Sequence, residues 1–600
     1  MTPTRRDAKH AALPGHARKE GTIMTKDRSP IDRLKAFEEE ADAAITALPL
    51  LQLPARAVLA GLHYLIFTSF HARQLGRDGN PEIGEVIMQR LGHVLPLIRN
   101  LVPEPYGASA DDAIGAFTER FHDGSDLTEL LAYMHFSEIM PEVHRGYYTV
   151  EMPAADVFRL SHRDAAFGDG QAKDITLSEL AVPFPTERDG VIGPEIARFI
   201  FKLPEIDFQI IAQYVAVNAY KYRHGLAESD LVTDTSIGHI FGFDRQRFLF
   251  IRSAVLAYAE FCEKVATAMH MLVIKGELPE DAMPEALEWA SVNMKEDFLI
   301  GLFAAGAMVQ PDEVERFLEY YSIDFRQVPA TDWGGDGFFP PFARFKDSLL
   351  FSPLMVMGFL QVRNAVYAFA KKDKKTFDND VSDELEPVLL HHAGELLRRG
   401  GDWIVVEDVK FPGGQIDLVV ASPNDDGVLL LQAKGNLAPQ GARLTDRLAD
   451  RVREGVGQIK KFEALADDVQ RAVIEKAIGR KIGKLEAHHA VLVRSCFGAV
   501  EVFAPDFPYI RLTIPLLALA LEHHRNAGLP TTIAALAQAI AATEQRIYDQ
   551  SGYHWEEGEI SLAGANIKLP LLKWTPGSLD ALRREWWEST FRPEREDEPE

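Results

Sequence analysis

Cysteine is nearly absent: the 600 residues hold two, Cys262 and Cys496, far apart in the chain. That scarcity excludes a disulfide framework and a cysteine-built zinc site, and it fits a reducing, cytoplasmic setting. Long apolar runs are missing too. The two longest, 298–309 and 349–360, fall short of the about 20 residues a membrane span needs, and both read as buried core helices. Basic residues are in deficit, 64 Lys and Arg against 89 Asp and Glu, for a net charge of −25. Such a balance excludes a protein that coats nucleic acid nonspecifically, since phosphate contacts need cations. It leaves room for one whose positive charge is confined to a single groove.

Several chemical signatures are also lacking. There is no GxxxxGK[ST] loop, and GRKIGK at 479–484 has neither the spacing nor the hydroxyl, so no ATP site is expected in this chain. HExxH, GxSxG and the dinucleotide-binding fingerprint do not occur. Residues 1–30 are basic and polar without an apolar core, unlike a secretory signal, and read as a disordered tail with Met24 as a second candidate start. The end, 591–600, reads as an acidic disordered tail.

What is present suits a multidomain globular protein. Apolar residues make up 46% and charged residues 26%, and so long a chain exceeds one hydrophobic core. From 31 to 370 apolar residues recur at three- and four-residue intervals, which predicts a mainly α-helical region. Short β-like runs and a loop with two glycines at 167–173 mark an insertion at 147–185. A helical pattern resumes at 342–370. No repeat of 30–45 residues stands out, so a solenoid is the weaker alternative. The charged stretch 371–383 reads as a linker.

Beyond it the texture changes. Helix 384–399 precedes strands 403–409, 415–421 and 428–433, a long helix 442–478, strands 487–493 and 509–513, and helix 516–524. This predicts an α/β domain over 384–525, followed by a helical extension over 526–590. Within it, Trp586 and Trp587 sit on a terminal helix docking its aromatics.

The order of elements, with GGQIDLVV at 413–420 and LLLQAKG at 429–435, resembles the PD-(D/E)XK (restriction-endonuclease-like) nuclease superfamily and its α-β-β-β-α-β core. The Gln-x-Lys variant is similar to that of methyl-directed type IV restriction enzymes. The resemblance covers the C-terminal region only. It implies catalytic positions at Asp417, Gln432 and Lys434 and a Mg²⁺ cofactor, with Mn²⁺ as a substitute. The residue types suit that chemistry. A carboxylate can hold a hard cation that prefers oxygen ligands, and the Gln432 side chain and the Ala433 carbonyl can add further oxygens. Gln432 and Lys434 share a strand face, so Lys434 can act on the attacking water or on the charge of the transition state.

The family's first helix often adds an acidic ligand. Of Glu384, Glu386 and Glu395, Glu386 lies nearest the apolar side, about 65° from its centre. The alternative for Glu386 is a capping box with Asp383. On the long helix Arg443, Arg447, Arg451 and Gln458 recur at four- and seven-residue steps. Residues 441–484 carry eleven Lys and Arg against seven Asp and Glu, a local excess in an acidic chain. The arginines are candidates for DNA contact and Gln458 for support of the site, or the face is solvated, with Asp446 and Asp450 offsetting the charge. The pairs His391/His392, His488/His489 and His523/His524 cannot converge on one ion from a regular element and read as structural.

The expectation is a metal-dependent nuclease acting on nucleic acid, foremost a DNA endonuclease of restriction or anti-phage defence. The helical region would choose the target, a partner protein or a second copy. A repair or processing nuclease, or a non-catalytic scaffold that keeps the fold, are the alternatives.

Overall fold

The computed structural model describes residues 29–72, 81–101, 125–180, 208–223, 232–326, 340–346, 348–435, 442–498, 500–503 and 505–591. The two terminal tails read from the sequence lie outside these residues, apart from 29–30 and 591. The N-terminal region is built round helix Arg245–Ile274, which starts where the Asp244 side chain accepts the Arg247 N–H. Helices Phe208–Arg223, Met283–Ala290, Glu296–Ala307 and Pro353–Phe359 pack round it, so that every residue from 251 to 270 is buried. The charges it buries are paired: Glu260 with Lys264, and Glu263 with His71 at 3.0 Å.

Apolar runs misled in places. The run 298–309 lies mostly in helix Glu296–Ala307, but 349–360 is split. Its first residues belong to strand β6 (Ser348–Phe351), and Pro353 then opens the helix Pro353–Phe359. Proline suits the first helical position and forces the residue before it to be extended. The helical pattern read over 342–370 is therefore wrong at its start. There β5 (Phe342–Arg344) and β6 join β3 (Val292–Lys295) and β4 (Ser322–Asp324) in a sheet of order β3-β6-β5-β4. The glycine loop at 167–173 is part of helix Ala165–Leu180. A Cβ on Gly168 would lie 2.9 Å from the His162 ring, so this glycine serves close packing rather than a turn.

The linker at 371–383 is a second correction. Helical turns continue through Lys374–Thr376, a π turn Phe377–Val381 and Ser382–Glu384 into helix Leu385–Gly400. Asp373 caps the Thr376 N–H, and Val381 is buried in the N-terminal core. One apolar anchor and one cap suffice to order a stretch that looks uniformly polar.

The C-terminal region is mixed α/β, centred on a sheet of order β11-β10-β9-β8-β7. Strands β7 (Ile404–Phe411), β8 (Gly414–Ala421) and β9 (Gly427–Lys434) form an antiparallel meander. Strands β10 (Glu486–Val493) and β11 (Ile510–Thr513) add in parallel, which requires the helical crossover between β9 and β10. Alternate residues sort to two faces. Leu418, Val420, Leu429 and Leu431 pack beneath helices Leu385–Gly400 and Ile514–Asn526. Val419, Ala421, Val428 and Leu430 pack against Phe462, Ile474 and Ile478. The single crossover helix read at 442–478 is two, Ala442–Glu463 and Asp467–Ile478, because Ala466 is extended.

The extension over 526–590 is not wholly helical. Between helices Ile533–Ser551 and Ser578–Phe591 lies a hairpin, β12 (His554–Leu562) and β13 (Ala565–Lys573). It joins the hairpin β1 (Tyr148–Ala154) and β2 (Val157–His162) in a sheet of order β1-β2-β13-β12. Pro570 obscured β13 as a strand. It lies beyond Asn566–Lys568, the part of β13 paired with β2, where no second neighbour needs its N–H.

The two regions thereby exchange core residues. Leu562, Ile567 and Leu569 belong to the N-terminal core, whereas Leu177 and Leu180 belong to the C-terminal one together with Trp586. The Trp587 side chain lies outside the described residues. Ile567→Ala is accordingly expected to cost about 2–5 kcal/mol and to speed limited proteolysis of the N-terminal region. An unchanged thermal midpoint and cleavage pattern would show that the hairpin is not part of that core.

Candidate active site

The ladder between β8 and β9 pairs Leu418 to Ala421 with Val428 to Leu431 and stops there. One residue further the strands part, and side chains take over the lost backbone bonds. Asp417 Oδ2 accepts the Ala433 N–H at 2.9 Å, and Gln432 Nε2 donates to the Gln415 carbonyl at 2.8 Å. β9 remains held on its other edge, with Gln432, Ala433 and Lys434 level with Val491, Leu492 and Val493 of β10. The result is a wedge at the end of the sheet. Because N–H and C=O of one strand residue face the same edge, the Ala433 carbonyl points toward β8 as its N–H does.

Asp417, Gln432 and Lys434 share one sheet face and are almost fully buried. Helix Ala442–Glu463 covers them closely: a Cβ on Gly455 would lie 3.3 Å from Lys434 Cε and 3.7 Å from Gln432 Cβ. Gln432 is 1% exposed, and its Oε1 is buried without a partner. Its amide nitrogen is committed to Gln415, so the orphan is an acceptor of fixed direction.

Glu386 completes the wedge. Its Oε2 stands 3.5 Å from Lys434 Nζ. The capping-box alternative does not form: Glu384 occupies the cap position of helix Leu385–Gly400, with no side-chain cap bond. The other two acidic candidates are engaged elsewhere, Glu384 with Thr233 and Ser236, Glu395 with Arg398 at 3.1 Å. What brings Glu386 to Lys434 is Gly435. A Cβ there would lie 2.3 Å from the Glu386 nitrogen and 2.4 Å from its Cα, so the helix start and the strand end touch main chain to main chain.

Charge in the wedge is tuned by burial. Desolvation pushes the Asp417 carboxyl up to about 6, with the Glu386 and Asp408 charges adding to it, against the pull of the Ala433 N–H and the Lys434 ammonium. Reading the sequence missed Gly435, Gly455 and Asp408. The glycines had a signal, a strand ending in Lys-Gly and glycine inside a charged helix. Asp408 had none.

The remaining candidates lie on the covering helix or elsewhere in the domain. Gln458, one turn beyond Gly455, has a buried Oε1 without a partner. Arg447 and Arg451 are exposed, Asp450 pairs with Arg453 at 2.6 Å, and the side chains of Arg443 and Asp446 lie outside the described residues. His489 pairs with Glu463 at 2.6 Å and His524 bonds the Pro530 carbonyl at 3.0 Å, both within the packing of the domain.

Among the described residues no group of three or more His, Cys, Asp or Glu side chains could hold a metal ion. The available donors are of another kind: two carboxylates, the orphan amide oxygen of Gln432 and the Ala433 carbonyl. All are hard oxygens, and the buried unpartnered one fits a cation such as Mg²⁺. No helix among the described residues is long and apolar enough to cross a membrane. No family model, no curated protein and no solved structure matches this chain.

Two outcomes are expected. Between the ordinary carboxyl value of 3.8 and about 6 the unfolded chain releases the Asp417 proton while the folded chain keeps it, so stability falls as pH rises through that window. Above it a penalty of about 3 kcal/mol persists. Asp417→Asn should therefore raise the thermal midpoint of the metal-free protein at neutral pH and leave it unchanged below pH about 4; a lower midpoint at neutral pH would refute the penalty. Gly435→Ala should force the helix start from the strand end and lower the thermal midpoint, and a wild-type midpoint in calorimetry would refute that contact.

Proposed function

We propose that the C-terminal region is a divalent-metal-dependent phosphodiesterase of the PD-(D/E)XK type, a DNA endonuclease serving restriction or anti-phage defence. The observation that carries this reading is the parting of β8 and β9 round Asp417 and Gln432, with Lys434 and Glu386 closing the wedge. Two strands that could pair to their ends instead leave two carboxylates, a lysine and an unpartnered amide oxygen together.

Asp417, Glu386, the Gln432 Oε1 and the Ala433 carbonyl would hold the ion. An ion such as Mg²⁺ held by these residues would supply neutralisation of phosphate charge and a more acidic water. The chain's own groups do the rest. Lys434, its stem held under Gly455, directs its ammonium to the attacking water or to a phosphate oxygen as negative charge builds. Glu386 keeps that ammonium oriented. In the metal-free chain Asp417 takes up a proton below pH about 6, and that proton competes with the ion, so divalent-ion binding should weaken on acidification through that value. The exposed Arg447 and Arg451, with Arg443 on the same helix, offer cations to the DNA backbone, an arrangement that meets the acidic net charge locally. The helical N-terminal region selects the target.

Supercoiled plasmid incubated with Mg²⁺ or Mn²⁺ should be nicked or linearised, and chelation should stop it. Asp417→Ala and Lys434→Ala should each lower the rate by about 10²-fold or more. Cleavage persisting in both variants would remove the chemistry from this site.

A further inference from the structure

The edge strand β7 contains an anomaly that faces the wedge. Asp408 has φ +56°, a left-handed backbone uncommon for a residue other than glycine. It falls between the pairs Glu407↔Leu418 and Val409↔Ile416, opposite Asp417, at a position that makes no ladder pair although the register is unshifted. The distortion aims the Asp408 carboxylate along the sheet: its Oδ1 accepts from Gln415 Nε2 at 2.8 Å. The main-chain carbonyl of that same Gln415 accepts from Gln432 Nε2 at 2.8 Å. Gln415 is thus held by Asp408 through its side chain and by Gln432 through its main chain, and the Gln432 amide that makes the second bond carries the buried, unpartnered Oε1.

Charge gives the chain a purpose. Glutamine at position 432 contributes an oxygen ligand without a negative charge. Asp417 and Glu386 against the Lys434 ammonium leave one net negative charge, too little for a divalent ion. Asp408 adds a second, and Asp417 feels it.

We propose that Asp408 is a positioning residue of this site: by pinning the side chain of Gln415, whose main chain anchors the Gln432 amide, it steadies that anchor, and its carboxylate supplies the negative charge that Gln432 lacks, bringing the site to the complement of a divalent cation. The inference rests on the metal-site reading above. It assigns a role to a residue outside the ligand set, as outer partners of metal ligands orient them and raise affinity.

Calorimetric titration of the full chain with Mn²⁺ tests it, with Asp417→Ala as the variant expected to abolish binding. Asp408→Asn tolerates the left-handed backbone and can still accept from Gln415, so it removes charge alone. It should weaken Mn²⁺ binding about ten-fold, with cleavage restored at saturating Mn²⁺. Asp408→Gly removes both charge and bond while suiting the positive φ. It should weaken binding at least as much and leave the metal-free thermal midpoint equal or higher. A purely structural role would instead lower the midpoint and leave the affinity unchanged. Wild-type affinity in both Asp408 variants overturns the inference alone. A wild-type chain that binds no Mn²⁺ overturns it together with the metal site.

Discussion

The acceptance of one backbone N–H by one side chain, Ala433 to Asp417, is the contact on which the site depends. A sheet interior that opens must find partners for the backbone groups it exposes, or bear the cost of buried unpaired dipoles. Asp417 and Gln432 answer that need, one as acceptor and one as donor. In doing so they place their remaining oxygens in the gap. Gly435 follows from the same opening. Once β9 is free of β8 at its end, helix Leu385–Gly400 can press its first turn onto the strand, provided no Cβ intervenes. Glu386 then reaches Lys434, and the wedge is closed by an ion pair rather than by apolar packing.

The wedge is also tied to the rest of the chain. The segment after β10 leaves the sheet directly beyond Val493, which is level with Lys434. Its Phe497 and Gly498 N–H groups are both accepted by Asp174, at 2.7 and 2.9 Å, from helix Ala165–Leu180 of the N-terminal region. Burial pushes that carboxyl up to about 6 against the two bonds. The same helix takes Trp574 on Thr176 and Arg583 on Glu179, so it is clamped by the C-terminal extension. The N-terminal region is thus joined to the sheet that carries the wedge by shared elements as well as by the chain itself.

Legibility in the sequence followed the physics of each element. Strands β8 and β9 were readable because they are apolar runs bounded by Pro-Gly and Ser-Pro turns, and strand alternation put Asp417, Gln432 and Lys434 on one face. The short strands β3 to β6 were not, since three or four buried residues carry no period distinguishing strand from helix. The pairing of β2 with β13 joins residues 157–159 to 566–568, and nothing local encodes so distant a partner. Asp408 was hidden for a related reason. Its left-handed backbone is a local distortion that leaves the β7–β8 register unshifted, and aspartate in an edge strand otherwise looks like an ordinary solvated residue.

Whether such a wedge is merely a structural irregularity turns on the nature of its unmet groups. Buried side-chain atoms without partners occur elsewhere: hydroxyls at Ser348 and Ser352, which can rotate toward the nearest acceptor, and amide oxygens at Gln171, Asn293 and Gln458. The Gln432 oxygen is of the second kind, its own nitrogen committed to Gln415, and it differs from the others in standing beside two buried charged groups, Asp417 and Lys434. Asp417 is equally constrained, held in a dry position that raises its proton affinity. Leucine or methionine at 432 and asparagine at 417 would relieve both costs without disturbing the alternation of the sheet. The wedge sets two such costs side by side and next to a buried lysine. A divalent cation would relieve both at once, taking the amide oxygen as a ligand and favouring the ionised carboxylate, and this favours the proposed metal-dependent reading over packing alone.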